Sequence, residues 1–339
     1  RENRSMYNKI LGGLVGAAAG DAMGAATETR TRAQIEERFG GYVTEFLTPP
    51  EDTFARGSRA GQVTDDFSVA YVTLKEILKC GKITGDVVTK ALLTWADVPE
   101  YFDRFAGPTT RSRIQELRGI PGNPDIFIPV NDNNKATNGG AMKAAPIALL
   151  SKGDVDKAIA DALEVSRITH NNNIALAGTA AIAAAAGAAL REGATVYDIV
   201  SASLYGAGVG DRFGREHGCT LAGASIETRI RWAVSLAVNA GSMSEAMDEL
   251  SDYIGSGLMA VEAVPAAIGL CVAAKGNTVD GICGAVNIGN DTDTVATMVG
   301  GILGALNGIE SMPSHYVDVI ERENHFDLES MAREIMEYR

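Results

Sequence analysis

Two short acidic runs lie far apart in the chain, Thr64-Asp65-Asp66 and Asn290-Asp291-Thr292-Asp293-Thr294. Each stands just ahead of a long apolar segment rich in small residues, which reads as a helix. Together they offer four carboxylates and three hydroxyls, hard oxygen donors of the kind that Mg²⁺ and Mn²⁺ prefer. Asp291 and Asp293 are two residues apart, so at a loop-to-helix junction both can converge on one ion. The expectation is a two-metal site built from opposite ends of the sequence. The competing reading is helix capping, because Asp and Thr are ordinary N-caps and first-turn acids suit the helix dipole. For either run alone, capping is the stronger reading. Two runs of one kind shift the balance: one residue suffices for a cap, and the remaining like charges are costly unless a cation compensates them.

Three other segments carry polar groups at helix ends. Gly20-Asp21-Ala22-Met23-Gly24 closes the first helical stretch, and Glu28 follows four residues on. Asp21 reads as a cap or a partner of a neighbouring turn, and Glu28 by default as a surface acid. Asn138-Gly139-Gly140-Ala141-Met142-Lys143 is a glycine turn opening a helix. It suits close approach of a ligand to backbone, or a plain N-cap by Asn138. Thr169-His170-Asn171-Asn172-Asn173 precedes an alanine-rich helix, and a hydrogen-bonded capping histidine fits it as well as a site histidine does.

The elements that must position these residues are helices. Aromatics are only 6% of the chain, strand-like alternation is scarce, and helical periodicity dominates. Helices are expected over 6–23, 66–78, 84–95, 110–117, 141–150, 155–167, 173–191, 196–205, 225–239, 243–253, 260–274, 279–288, 292–306 and 326–336. The Pro- and Asn-rich stretch 119–140 and the glycine-rich stretch 206–214 are expected to be irregular and to shape a cleft. The fold class is all-α, a single compact multi-helix domain over 6–339. Residues 1–5 precede the first Met and read as a remnant outside it.

The 339 residues are 46% hydrophobic and 22% charged, ample for a large core. A formal net charge of −13 argues against a nucleic-acid groove, which needs a basic field. It leaves room for a ligand whose phosphates meet helix N-termini or a metal. The four histidines are scattered, which argues against a His-rich zinc site. Cys80, Cys271 and Cys283 sit in apolar helical surroundings without CxxC spacing and read as buried thiols in a reducing cytoplasm. The most apolar stretch, 174–190, is mostly alanine and reads as a buried helix, not a membrane span. No signal peptide is visible, so the expected location is cytoplasmic. Oligomeric state is not legible.

The segments Gly12-Gly-Leu-Val-Gly-Ala-Ala-Ala-Gly-Asp-Ala-Met-Gly24, Gly61-Gln-Val-Thr-Asp-Asp66, Asn138-Gly-Gly-Ala-Met-Lys-Ala-Ala-Pro146, Thr169-His170 and Gly289-Asn-Asp-Thr-Asp-Thr-Val-Ala296 come in one order along the chain. Taken together they resemble the ADP-ribosylglycohydrolase family, which includes the dinitrogenase-reductase-activating glycohydrolases and the ADP-ribosyl-acceptor hydrolases. The resemblance implies an all-helical domain with a binuclear Mg²⁺ or Mn²⁺ centre in a cleft. It also implies hydrolysis of the N- or O-glycosidic bond at C1″ of an ADP-ribosylated side chain. By position, Thr64, Asp65 and Asp66 would match one ligand group. Asp291, Asp293 and Thr294 would match the other, with Asp293 as the bridge. Glu28 falls where some members carry a catalytic glutamate. Asn138, Gly139 and Met142 would line the ribose and diphosphate region with Lys143 beside them, and His170 matches a histidine near the cleft.

Cleavage at ribose passes through an oxocarbenium-like state and needs a proton for the leaving group and an activated water. Two metals orient ribose hydroxyls and activate water near neutral pH. Asp65 or Asp66 is the favoured acid or base, with Glu28 in reserve. The chain departs from the family pattern at Phe67, where Thr or Ser is usual, and at Lys143, where Arg is usual. It also departs in Phe105-Ala-Gly-Pro-Thr-Thr-Arg111, which lacks an acid common in that turn. These departures spare every expected ligand but bear on the substrate. An ADP-ribosylated protein is the default partner, and a smaller ribosyl or nucleoside-type compound is the rival. A two-metal phosphohydrolase and a non-catalytic ADP-ribose binder are the competing classes.

Overall fold

Glycines recur every fourth residue along the first helix, at 12, 16, 20 and 24, and again at 300 and 304 near the end of the chain. A four-residue spacing places them on one helix face. In the computed structural model, which describes residues 2–339, these two faces meet. The helix Glu2–Gly24 runs antiparallel to Thr292–Asn307, pairing Gly12 with Gly304, Gly16 with Gly300 and Gly20 with Ala296. A Cβ on Gly16 would collide with the Gly300 carbonyl, and one on Gly300 with the Gly16 carbonyl. The backbones are therefore in direct contact, an approach only glycine permits. Thr297 Oγ1 donates to the Ala17 carbonyl at 2.7 Å, and Thr292 Oγ1 to the Gly24 carbonyl at 2.9 Å.

A second pair repeats the device. Gly206, Gly210 and Gly214 of the helix Val196–His217 press on Ala180, Leu176 and Asn173 of the helix Asn173–Ala189. The expectation that 206–214 is irregular is therefore overturned. Its glycines are four apart and serve close packing inside a continuous helix of 22 residues. The alanine-rich helix is buried at every position, as a helix apolar on all sides must be. Among the described residues no helix is long and apolar enough to cross a membrane.

Among the described residues seventeen α-helices form one all-α domain, with only isolated bridges in place of a sheet. Three helices escaped the sequence reading: Arg32–Phe39, Pro99–Phe105 and His315–Asn324. All three are short, at seven to ten residues, so each offers few turns over which a helical period can be read. The segment 141–150 is not one helix but the 3₁₀ turn Ala141–Lys143, the helix Ala144–Ala148 and the 3₁₀ turn Leu149–Ser151. Pro146 within it lacks the N–H that a longer helix would use. The helix begun at Met243 passes into a π-turn, Leu250–Ile254. Cys271 and Cys283 are buried as expected, but Cys80 is exposed because it ends the helix Asp65–Cys80.

Candidate metal centre

The glycine-to-glycine contact decides where the acids go. Gly24 lies so close to the start of the Thr292–Asn307 helix that a Cβ there would sit 2.5 Å from Asp293 Cα. Asp21, one turn earlier, therefore faces Asp293. The Thr64–Phe67 turn docks on Asp21: Thr64 N–H donates to Asp21 Oδ2 at 2.8 Å, Phe67 N–H to the same oxygen at 3.0 Å, and Thr64 Oγ1 to Asp21 Oδ1 at 2.6 Å. The two acidic runs thus meet, although 229 residues separate Thr64 from Asp293.

Glu28 is brought in by a backbone clamp. Asn290 N–H donates to the Arg30 carbonyl at 2.9 Å, and Thr29 N–H to the Asn290 carbonyl at 2.8 Å. Gly289 and Asn290 both have positive φ, 99° and 65°, and a Cβ on Gly289 would strike the Arg30 carbonyl. This bend turns Asp291 toward Glu28. Asp291 N–H is held by the Ser256 carbonyl at 3.0 Å, and Asn138 Nδ2 donates to Asp291 Oδ2 at 2.7 Å.

Asp21, Asp66 and Asp293 each place one carboxylate oxygen within 4.8 Å of the others, and so do Glu28, Asp291 and Asp293. Asp293 belongs to both groups. None of these five carboxylates forms an ion pair with a Lys, Arg or His among the described residues. Burial raises the pKa of each of Glu28, Asp66 and Asp293 well above the usual range, and the neighbouring carboxylates raise them further. Burial also lifts Asp21 and Asp65 up to about 7. Asp66 Oδ2 and Asp293 Oδ1 are buried without any hydrogen-bond partner. Stacked carboxylates with orphaned buried oxygens and no cationic side chain fit a hard divalent cation.

These acids form part of a cleft of about 510 Å³, a size suited to a small-molecule ligand. Asp65, partly exposed, opens onto it together with Glu28, Asp66, Asp291, Asp293 and Thr294. Asn138, Gly139, Met142 and His170 also line it. His170 is buried, with Nδ1 2.6 Å from Thr169 Oγ1 and Nε2 3.0 Å from Thr137 Oγ1. Burial, aided by the Lys143 ammonium, pulls its imidazole down to about 3, so the ring is neutral. A Cβ on Gly139 would lie 2.7 Å from that ring, so a glycine turn and a histidine edge build this wall together.

Two expected residues lie off the cleft wall. Lys143 is buried behind it, its pKa lowered to about 8 by desolvation. In the tight turn Ala141–Lys143, Met142 lines the cleft and Lys143 does not. Thr64 is buried beneath the acids, its hydroxyl 3.2 Å from Asp293 Oδ2. Of the loop 119–140, only its end, Thr137 to Gly139, reaches the cleft, and the 206–214 stretch does not reach it. The turn 103–111 does, through Phe105, Thr109, Thr110 and Arg111, as does the exposed Phe54. The Gly-Pro-Thr-Thr-Arg segment was a signal for the turn, whereas nothing in the sequence marks Phe54.

The ADP-ribosylglycohydrolase family model matches residues 2–339. The chain belongs to the ADP-ribosylglycohydrolase family. A relative of Escherichia coli (strain K12), "Uncharacterized protein YegU", is 32% identical over 337 residues, spanning 98% of this chain and 97% of its own length. "ADP-ribosylarginine hydrolase Tri1" of Pseudomonas putida (strain GB-1) is 26% identical over 342 residues, covering 97% of this chain and 78% of its own. A solved structure described as "ADP-ribosylglycohydrolase-related protein complex" superposes with a TM-score of 0.70 over 99% of both chains at 22% identity, which speaks to the fold. As a member of this ADP-ribosylglycohydrolase family, the chain is a hydrolase acting on ADP-ribosyl linkages.

Proposed function

We propose that this ADP-ribosylglycohydrolase cleaves the bond at ribose C1″ of an ADP-ribosylated acceptor, a protein side chain by default, and releases ADP-ribose with the aid of two Mg²⁺ or Mn²⁺ ions. The observation that carries the reading is the pair of overlapping carboxylate groups sharing Asp293, with orphaned buried oxygens on Asp66 and Asp293. Asp66, Asp291, Asp293, Thr64 and Thr294 would hold the ions. When bound, such ions supply positive charge that orients ribose hydroxyls and lowers the pKa of water.

The chain's own residues do the rest. An oxocarbenium-like transition state carries positive charge at C1″ and is favoured beside a carboxylate cluster. Asp65 and Glu28 border the cleft and are half-buried, so they can exchange protons with a bound substrate or water. Asp66 is enclosed, which favours a ligand role over proton transfer. Asn138 holds the Asp291 carboxylate in one orientation. His170, neutral at pH 7, presents the Thr137 hydroxyl to the cleft as a fixed polar contact.

The test is release of free ADP-ribose from arginine-ADP-ribosylated protein, serine-ADP-ribosylated protein and small 1″-linked ADP-ribosyl compounds. Each is run with Mg²⁺, with EDTA and with Asp293→Asn. Release that needs both the ion and Asp293 supports the reading and ranks the acceptors. No release from any substrate by ion-loaded protein would refute it and direct the search to another ribosyl glycoside.

A further inference from the structure

Asp21 stands within ligand distance of Asp66 and Asp293 and so has the outward mark of a metal ligand. Its hydrogen bonds point elsewhere. Oδ2 accepts two backbone N–H groups, from Thr64 and Phe67, and Oδ1 accepts the Thr64 hydroxyl. Thr64 is the N-cap of the helix Asp65–Cys80, and Phe67 is its third residue. An N-cap side chain ordinarily accepts from the second or third N–H of its own helix. Here the third N–H is taken by Asp21, a residue of another helix, and Thr64 Oγ1 has only a long 3.3 Å contact with the Asp66 N–H.

The consequence concerns one proton. The Thr64 hydroxyl has a single hydrogen, and the Asp21 oxygen at 2.6 Å is nearer than the Asp293 oxygen at 3.2 Å. With its hydrogen given to Asp21, Thr64 Oγ1 turns lone-pair density toward Asp293 Oδ2. Two acceptor oxygens then face each other across a gap that calls for a cation. Resting on the metal reading above, we infer that Asp21 is a positioning residue: it caps the ligand-bearing helix from outside, frees the Thr64 oxygen for the ion, and does not itself ligate.

Mn²⁺ titration of the purified full chain, with calorimetry for affinity and ion analysis for stoichiometry, tests this. Asp21→Asn puts an NH₂ or a weaker acceptor against two backbone N–H donors. The expected result is the wild-type number of ions bound with affinity reduced roughly 10- to 100-fold, as outer-shell changes at metal sites do. Loss of one ion with the other retained at wild-type affinity would make Asp21 a ligand and overturn the inference. Unchanged affinity would overturn it too, leaving Asp21 a purely structural cap. Wild-type protein that binds no Mn²⁺ at all would instead sink the metal reading on which the inference rests. Should Asp21→Asn not fold, the wild type still decides. Amide exchange at Thr64 and Phe67 is expected to be slow without metal and no faster with saturating Mg²⁺. Faster exchange on Mg²⁺ loading would mean that Asp21 leaves the cap for the ion.

Discussion

At the scale of single residues, Asp293 and Glu28 are the most exposed to test. Asp293 belongs to both carboxylate groups and has one buried oxygen with no partner. Asp293→Asn is expected to lose bound ion and ADP-ribose release while far-UV circular dichroism stays unchanged, since the helix it starts is held by glycine packing. Full activity with a normal ion content would remove Asp293 from the site. Glu28 is held beside Asp291 by the Thr29–Asn290 clamp and opens on the cleft. Glu28→Gln is expected to lower kcat by about 10²-fold or more, the usual scale for losing a general acid or base. Steady-state kinetics on the best acceptor would check this, and a kcat within twofold of wild type would assign proton transfer to Asp65. Asp293 was legible from its Asp-x-Asp-Thr spacing. Glu28 was marked only by the family resemblance, because by residue type a lone glutamate on a turn reads as any surface acid until the backbone bonds to Asn290 are known.

At the scale of elements, the site depends on two glycine faces. Gly16→Ala or Gly300→Ala would drive a methyl into the opposing carbonyl, and backbone cannot move aside as a side chain does. A loss of roughly 1–3 kcal/mol is expected, the usual cost of overpacking. Because the same contact sets Asp21 against Asp293, Mn²⁺ affinity should fall with it. Gly208 is the control. It lies in the Val196–His217 helix off the packed face, and a Cβ there meets only Arg212 Nη1 at 3.6 Å. Gly208→Ala should therefore stabilise by about 0.5–1 kcal/mol, the ordinary gain of alanine over glycine in a helix. Urea unfolding of the three variants checks both signs, and equal effects would refute the packing argument. The glycine spacing in 12–24 was visible in the sequence, and so was the run 206–214. By composition alone the 206–214 run resembles a loop, since glycine weakens a helix unless a partner backbone comes close.

At the scale of the whole molecule, the buried acids set the pH response of the ion-free protein. An unfolded Asp takes its proton near pH 4, whereas folded Asp21 and Asp65 take theirs near 7. Between those values the folded chain holds more protons than the unfolded one, so stability falls as pH rises. Asp66, Asp293 and Glu28 are shifted in the same direction. His170 acts the other way below about 6.5, where the unfolded chain accepts a proton that the buried ring refuses, but it is one group against five. Protein treated with EDTA is expected to melt at a higher temperature at pH 5.5 than at pH 7.5, and saturating Mn²⁺ should reverse that order. A Tm in EDTA that rises between those pH values would contradict the strained carboxylate cluster.

The sequence by itself determined the helical class, the two acidic runs and the family resemblance, because helix periodicity and ligand spacing are local properties. It also carried the glycine faces, though not what they face. Only the tertiary structure decided that Glu28 and Asp21 join Asp65, Asp66, Asp291 and Asp293, that Asn138 steers Asp291, and that Lys143 lies buried off the cleft wall. Those outcomes rest on backbone approaches and hydrogen bonds between residues tens to hundreds of positions apart, and no spacing along a chain records them.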